Sequence, residues 1–487
     1  MRLNDLLELS GITTKNSKSQ NLDIKGIAFN SSKVENGFIF IAIKGNLTDG
    51  HLYIEDAIKN GAILVIGEEE LKLVDVPYFY VPNARKALAL LAKTFYSNST
   101  VNKLIIGITG TNGKTTTSYM LKQILETQGI ACALFGSIST IINGKESPSN
   151  QTTLDPLTYH QLLATSNDPV VIMEVSSHGL IQHRVEGIEF DYCIFTNLEQ
   201  EHLDYHNNME AYYLAKQSLF PHLKKGGIAV IHSNSEWGER LDTYVHSIDR
   251  KVIKINGNNP TYSIKENKLM ENSHTKPSNF PLVTIMEGKH NIENAALAFT
   301  TALSLGISAQ QVMDGLEEFS GVPGRYQLSS HPTGATFLID YAHTANAFNY
   351  LLDTVKSHNP RKTIHVFGFR GNRDVQKRNK MLEVSLMYCN YCILTFDDLN
   401  GVSPEEMMQE LQSLDHQDRC IIIPDRTDAI KYAWELAQNQ DWIVITGKGN
   451  EQYQQRFALN TTSDSETLKY LMDSSQKHST HFSSRAK

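Results

Sequence analysis

"IIGITGTNGKTTTSYMLKQIL", residues 105–125, decides the fold of this chain. Ile105–Ile108 is a short apolar run of strand type, and Thr115–Glu126 carries a helical pattern. Between them Gly110 and Gly113 permit positive φ and let backbone N–H groups come close to phosphate oxygens. Lys114 is placed to reach the β and γ phosphates, and the Thr115 hydroxyl to join a Mg²⁺ shell. Ile108 stands where the longer phosphate-loop pattern has its first glycine. Strand, loop and helix in this order still predict a nucleotide-binding loop, with Gly110, Thr111, Asn112, Gly113, Lys114, Thr115 and Thr116 around ATP and Mg²⁺.

Strand-like runs and helical stretches alternate on both sides of this loop. Residues 1–95 interleave FIFIAI, AILVIG and PYFYVP with YIEDAIKNGA and ARKALALLAKTF. From 103 to about 300 come VVIMEVSS, YCIFTNL and IAVIHS with longer helices, the pattern of a parallel, helix-covered sheet. GVPGRY, near 321, is a turn-rich break. A third series follows: ATFLIDYA, TIHVFGF, YCILTF, CIIIPD and WIVITG. The expectation is three α/β domains, 1–97, 98–326 and 327–474, with the loop in a central parallel-sheet domain. A tail without periodicity, 475–487, is expected to be flexible.

Bulk properties exclude several classes. The 487 residues exceed one core, and a net charge of −8 with interspersed signs offers no basic face for nucleic acid. No apolar run reaches the roughly 18 residues of a membrane helix, and MRLNDLLELSG has no signal-peptide core. Five scattered cysteines do not make a disulfide framework. Cys389-Asn-Tyr-Cys392 has redox or zinc-like spacing but lacks a second pair and leads into an apolar run, so buried strand thiols are expected. A soluble protein of a reducing compartment fits these properties, and a cytoplasmic monomer is the expectation.

A phosphate loop alone suits a motor, a switch, a kinase or a ligase. Glu174 follows the run Val170–Met173, where a Mg²⁺-binding acid belongs, though an ordinary strand-end carboxylate sits there as readily. In FTNLEQEHLDYH, residues 195–206, His202, Asp204 and His206 crowd one loop, as a metal site or as a solvated turn.

TGTNGKTTT, MEVSSHGL, FTNLEQEHLDYH with AYYLAKQSLF, GVPGR, DYAHT, GNRD and GKGNE occur in this order. Together they resemble the Mur ligase family, ATP-dependent amide-forming enzymes of bacterial cell-wall precursor synthesis, from about residue 25 to 458. TTLDPL and the DGH of TDGHLYIEDA favour the tripeptide-synthetase (MurE-type) branch. The resemblance implies a three-domain architecture with a Rossmann-like third domain. It also implies a UDP-N-acetylmuramoyl-L-alanyl-D-glutamate substrate, phosphorylated on a carboxylate and attacked by the amine of a free amino acid.

By the same resemblance Thr115 and Glu174 hold one Mg²⁺ and His202 helps to hold a second. Lys216, on a helix where spacing alone predicts a solvated lysine, matches a residue carried as N6-carboxylysine. Asn294 falls near adenine; Arg325, Asp340 and His343 fall near ribose and phosphates. Thr152, Thr153, Ser177 and Arg184 match muramoyl-peptide contacts, and Ser31 remains a uridine contact. There Asn30-Ser31-Ser32 replaces the family's Asp-Ser-Arg, while Lys44, Asp49, Gly50 and His51 keep the next loop recognisable.

Amino-acid choice should lie in the third domain. Diaminopimelate-adding members carry Asp-Asn-Pro-Arg, whose arginine grips a distal carboxylate. Here the stretch is Asp397-Asp398-Leu399-Asn400, with Arg373, Gly447 and Glu451 still matching. Asn400 brings no charge, and Asp398 with Glu451 are placed to meet an ammonium. That balance favours lysine or ornithine over diaminopimelate. Ala345 and Asn450 also depart from the family pattern.

Overall fold

The computed structural model describes residues 1–12, 22–45, 48–71, 75–97, 99–272, 278–372, 375–414 and 419–483. Its packing separates two compact units. One comprises Met1–Gly110, Leu125–Phe195 and Tyr212–Lys254; the other comprises Thr111–Ile124, Thr196–Ala211 and Ile255–Lys487. Three sheets carry the three-domain α/β architecture.

In the first unit, Gly26–Ala28, Phe38–Ile41, Ala62–Gly67 and Tyr78–Tyr80 form a parallel sheet in chain order. Strand residues alternate between two cores. Ile39, Ile41, Leu64 and Ile66 pack with Leu88 and Leu91 of helix Ala84–Phe95, and Phe40 and Val65 pack with Ile54 and Ala57. Covering both faces in this way is what a parallel sheet requires.

The strand before the loop, Leu104–Thr109, pairs in parallel with Phe190–Phe195 on one side and Val170–Glu174 on the other. Leu223–His232 and Cys132–Phe135 extend this block, also in parallel. The all-parallel expectation needs correction where Ser139–Ile142 and Lys145–Pro148 add antiparallel strands. The cause is Asn143-Gly144, both at positive φ (52° and 72°), the two-residue turn that drives hairpins.

The second unit carries an antiparallel meander, Tyr262–Lys265, Lys268–Glu271 and Asn279–Pro281, and the third sheet. That sheet runs Gln327–Ser330, Thr336–Asp340, Asp441–Thr446, Lys362–Phe369, Tyr391–Phe396, Cys420–Ile422, parallel except for its first pair. Helices Arg426–Leu436 and Asp464–Ser483 cover one face through Ala429, Ile430, Ala433, Leu468 and Leu471. The last helix reaches into the stretch from 475 onward, where the sequence shows no helical period. Its start is fixed by Asp464, fully buried and 2.7 Å from Arg426 through both carboxylate oxygens. All five cysteines are free, and Cys389 and Cys392 are buried as expected. Among the described residues no helix is long and apolar enough to cross a membrane.

Candidate functional site

In the first unit, strand register sets Glu174 opposite Ile108, and the Val175 amide donates to Ile108 O at 2.8 Å. Both strands therefore finish together at their carboxyl edge, where α/β sheets bind ligands. The Glu174 side chain is wholly buried; Oε1 accepts from the Ser137 amide at 3.1 Å and Oε2 from the Ser137 hydroxyl at 2.9 Å. Ser137 was not legible as a site residue. It follows Gly136, where a Cβ would stand 2.5 Å from Glu174 Oε1.

Lys216 is not the solvated helix lysine that spacing alone suggests. On helix Met209–Gln217 it is 2% exposed, its Nζ donates to Gly110 O at 2.7 Å, and it lies 4.5 Å above the Tyr212 ring. Gly110 is the residue from which the chain continues into Thr111.

The Ser137 hydroxyl also lies 3.0 Å from Thr152 Oγ1, and the Thr153 hydroxyl donates to Glu174 O at 3.1 Å. Ser176 N donates to Thr153 Oγ1, and buried Ser177 opens helix Ser177–Ile181. Arg184 donates to Thr153 O and to Gln151 Oε1. Thr152, Thr153, Ser177 and Arg184 are thus drawn together around Glu174. Ser31 is not among them: it sits in the turn Ser31–Lys33 of the N-terminal sheet domain, capped by Asn30.

Among the described residues one trio could reach a common metal ion: Asp49, His51 and Glu69. Both His51 ring nitrogens are already engaged, Nδ1 with Asp49 at 2.6 Å and Nε2 as acceptor from Glu68 N at 3.0 Å. That trio is a loop brace. His202, Asp204 and His206 form no such group.

In the second unit, the loop after Gly110 is held by its own neighbours. Thr111 N donates to Asn197 O, Asn112 N to Asn197 Oδ1, and Asn112 Nδ2 to Glu199 Oε2 at 2.9 Å. Lys114 Nζ donates to Thr111 O at 2.9 Å, and Thr115 and Thr116 are buried in the first turn of helix Lys114–Thr127. Gly113 has φ +85°, and a Cβ there would strike the Asn294 side chain. Asn294 also lies 3.4 Å from the Thr117 hydroxyl. A side chain at Gly113 would be strained at that φ and would have to push Asn294 aside.

His202, at φ 56°, starts helix Leu203–His206 with Nε2 3.7 Å from Glu201. Glu201 also meets His343 Nε2 at 2.7 Å. Burial pushes the Glu201 carboxyl up, but the His343 hydrogen bond and the charges of His343, His202 and Lys114 hold it well below its ordinary value. The guanidinium of Arg325 lies 3.9 Å over the Tyr341 ring. Asp340 caps two backbone amides, Tyr326 N at 2.8 Å and Ala342 N at 2.7 Å.

The third sheet's carboxyl edge gathers a buried charge cluster. Lys448 Nζ touches both Asp398 oxygens at 2.6 and 2.7 Å, Arg370 pairs with Glu451, and Tyr341 donates to Glu451 at 2.8 Å. Burial raises Asp397, but Arg370, Arg426 and Lys448 hold its carboxyl below the usual value. A preference for lysine or ornithine requires Asp398 and Glu451 to await an ammonium. Protein cations already occupy both acids, which corrects that expectation. Gly447, at φ +106°, lets Asp397 approach, and Asn400 donates to Gly371 O at 3.2 Å. Arg373 lies outside the described residues. Arg370, Tyr341, Lys448 and Glu201 carry much of this charge network yet stood out in the sequence only as motif neighbours.

Three domain families match in chain order: "Mur ligase family, catalytic domain" over residues 23–96, "Mur ligase middle domain" over 108–302, and "Mur ligase, glutamate ligase domain" over 324–449. The UDP-N-acetylmuramoyl-L-alanyl-D-glutamate--2,6-diaminopimelate ligase of Caldanaerobacter subterraneus subsp. tengcongensis is 38% identical over 93% of this chain and 95% of its own. The enzyme of the same name from Clostridium tetani is 36% identical over 89% and 91%. A solved structure of a ligase with that name superimposes with TM-score 0.68 at 30% identity, covering 98% of this chain and 100% of its own.

Proposed function

Because this chain belongs to the Mur ligase family, we propose that it is an ATP-dependent amide ligase of the MurE type. It joins diaminopimelate to the glutamyl carboxylate of UDP-N-acetylmuramoyl-L-alanyl-D-glutamate in peptidoglycan precursor synthesis. The observation that carries this is 38% identity over 95% of a relative bearing that name. We place the enzyme in the cytoplasm, where ATP and nucleotide-linked precursors meet, and take it as a monomer.

The residues suit a triphosphate and a divalent cation. Gly113 takes the positive φ that turns the loop, Lys114 brings a positive charge, and Glu174 is a buried carboxylate met by one hydroxyl and one amide. Thr115, Glu174, His202 and Lys216 would hold Mg²⁺, whose charge shields the phosphate oxygens from the incoming carboxylate. Backbone amides of Gly113–Thr116 and the Lys114 ammonium hold the phosphates in place, while Asn294, Arg325, Asp340 and His343 orient the nucleoside end. Thr152, Thr153, Ser177 and Arg184 orient the muramoyl peptide so that its glutamyl oxygen displaces ADP from the γ-phosphorus. The amino acid, held by Arg373, Asn400 and Gly447, then attacks the acyl carbon and phosphate leaves.

Lys216 acts as its carbamate. Its neutral amine adds CO₂ and loses one proton, becoming a carboxylate-like ligand, and the remaining N–H still donates to Gly110 O.

The test is ADP release with UDP-N-acetylmuramoyl-L-alanyl-D-glutamate and diaminopimelate, lysine, ornithine or no amino acid. Turnover is expected with diaminopimelate. Faster turnover with lysine or ornithine would reverse the amino-acid choice, and none with any acceptor would dismiss the ligase.

A further inference from the structure

Two buried polar atoms near the candidate nucleotide end have no hydrogen-bond partner: the Tyr326 hydroxyl and His290 Nδ1. Buried polar atoms in folded proteins are nearly always satisfied, so one left open next to each of two candidate nucleotide elements, the Arg325 turn and the Asn294 helix, points to a missing ligand group. Tyr326 is 4% exposed and holds φ 43°, an unusual backbone for a bulky residue. Its amide is fixed on Asp340 at 2.8 Å. Burial, with the charges of Glu287 and Asp340, pushes the Tyr326 hydroxyl up, while at His290 burial lowers the pKa against the opposing charge of Asp340.

The position of this neighbourhood follows from one helix. Asn294, on Lys289–Ser304, packs on Gly113 and Thr117 of the phosphate loop. His290 lies one turn earlier on the same face, about 6 Å along the axis. A nucleotide with its phosphates on the loop has its sugar within that reach. Surrounding carboxylates select a ligand group that donates hydrogen bonds, and a phenol hydroxyl can also supply one. A vicinal diol meets both demands.

We infer that Tyr326 hydrogen-bonds the ribose diol and makes this chain select a ribonucleoside triphosphate over its deoxy counterparts. The inference rests on the proposed ATP-dependent ligation and adds a specificity residue to it.

The experiment measures kcat/KM of the full-length enzyme for ATP, 2′-deoxy-ATP and 3′-deoxy-ATP, in the wild type and in Tyr326→Phe, with Tm recorded for both. The wild type is expected to prefer ATP about tenfold over at least one deoxynucleotide, the size of one lost hydrogen bond. Tyr326→Phe should lower the ATP value about tenfold through KM, leave that deoxynucleotide unchanged, and bring the ratio near one. A ratio unchanged by Tyr326→Phe overturns the inference, whether both values stay put or fall together. An unchanged ratio with raised Tm identifies the hydroxyl as a merely buried group. Absence of any product with ATP in the wild type is a different failure, that of the ligase itself.

Discussion

His343 Nε2 lies 2.7 Å from Glu201 Oε1, joining the loop after strand Thr336–Asp340 to the loop that carries His202. The Glu201 side chain is only 10% exposed, so its charge depends on this contact. His343→Ala should cost about 1.5–3 kcal/mol, the range for a hydrogen bond to a charged group. Adding Glu201→Gln to that variant should recover part of the loss, because the stranded charge is gone. Denaturation of the two single variants and the double variant checks this; strictly additive losses would show that the contact carries no coupling.

Lys216 should respond to dissolved CO₂. Lys216→Ala is expected to lower kcat at least a hundredfold, as removal of a group that supports charge neutralisation does. Wild-type activity should fall in buffer stripped of CO₂ and return with bicarbonate, while Lys216→Ala stays low in both. Equal wild-type rates with and without bicarbonate, measured by phosphate release, would remove the carbamate from the scheme.

Acid should weaken the fold through Glu186. His183 donates to its carboxyl and, against the opposing effect of burial, Lys86 adds a second hydrogen bond, bringing its pKa from 4.5 to about 2. The folded pKa is the lower one, so the unfolded chain takes up the proton first as pH falls. The contribution is present in full above about pH 4.5 and is lost between 4.5 and 2. Glu186→Gln should therefore be less stable than wild type at neutral pH, with the two Tm curves converging across that window. Parallel curves would contradict the assignment.

Arg426 and Asp464, both fully buried, pin the last helix to the third sheet. Asp464→Ala strands a guanidinium and should cost about 3–5 kcal/mol, whereas Arg426→Met combined with Asp464→Leu should cost much less. Urea unfolding of the second unit's signals measures both. An equal cost in the two variants would mean that helix packing, not the charge, sets the loss.

Much of this architecture was legible because strand-type runs bounded by turns recur along the chain, as in LIIGITG and VVIMEVSS. Their order gave the parallel block and put Glu174 beside the loop strand. The antiparallel edge was missed although Asn143-Gly144 announces its hairpin, because short exposed strands such as Lys145–Pro148 carry no apolar signal. Lys216 shows the limit of periodicity: its burial comes from the Gly110 carbonyl, 106 positions away in the chain. Asp398 shows the same limit for charge, since sequence gives the acid but not Lys448 lying on it. Ser137, Tyr326 and His290 belong to no strong pattern, and only the fold brings them to their neighbours.

Oxygen tracing tests the central chemistry most directly. With ¹⁸O in the glutamyl carboxylate of UDP-N-acetylmuramoyl-L-alanyl-D-glutamate, and ATP and diaminopimelate present, each turnover should move one labelled oxygen into inorganic phosphate. Product formed with unlabelled phosphate would contradict phosphorylation of that carboxylate.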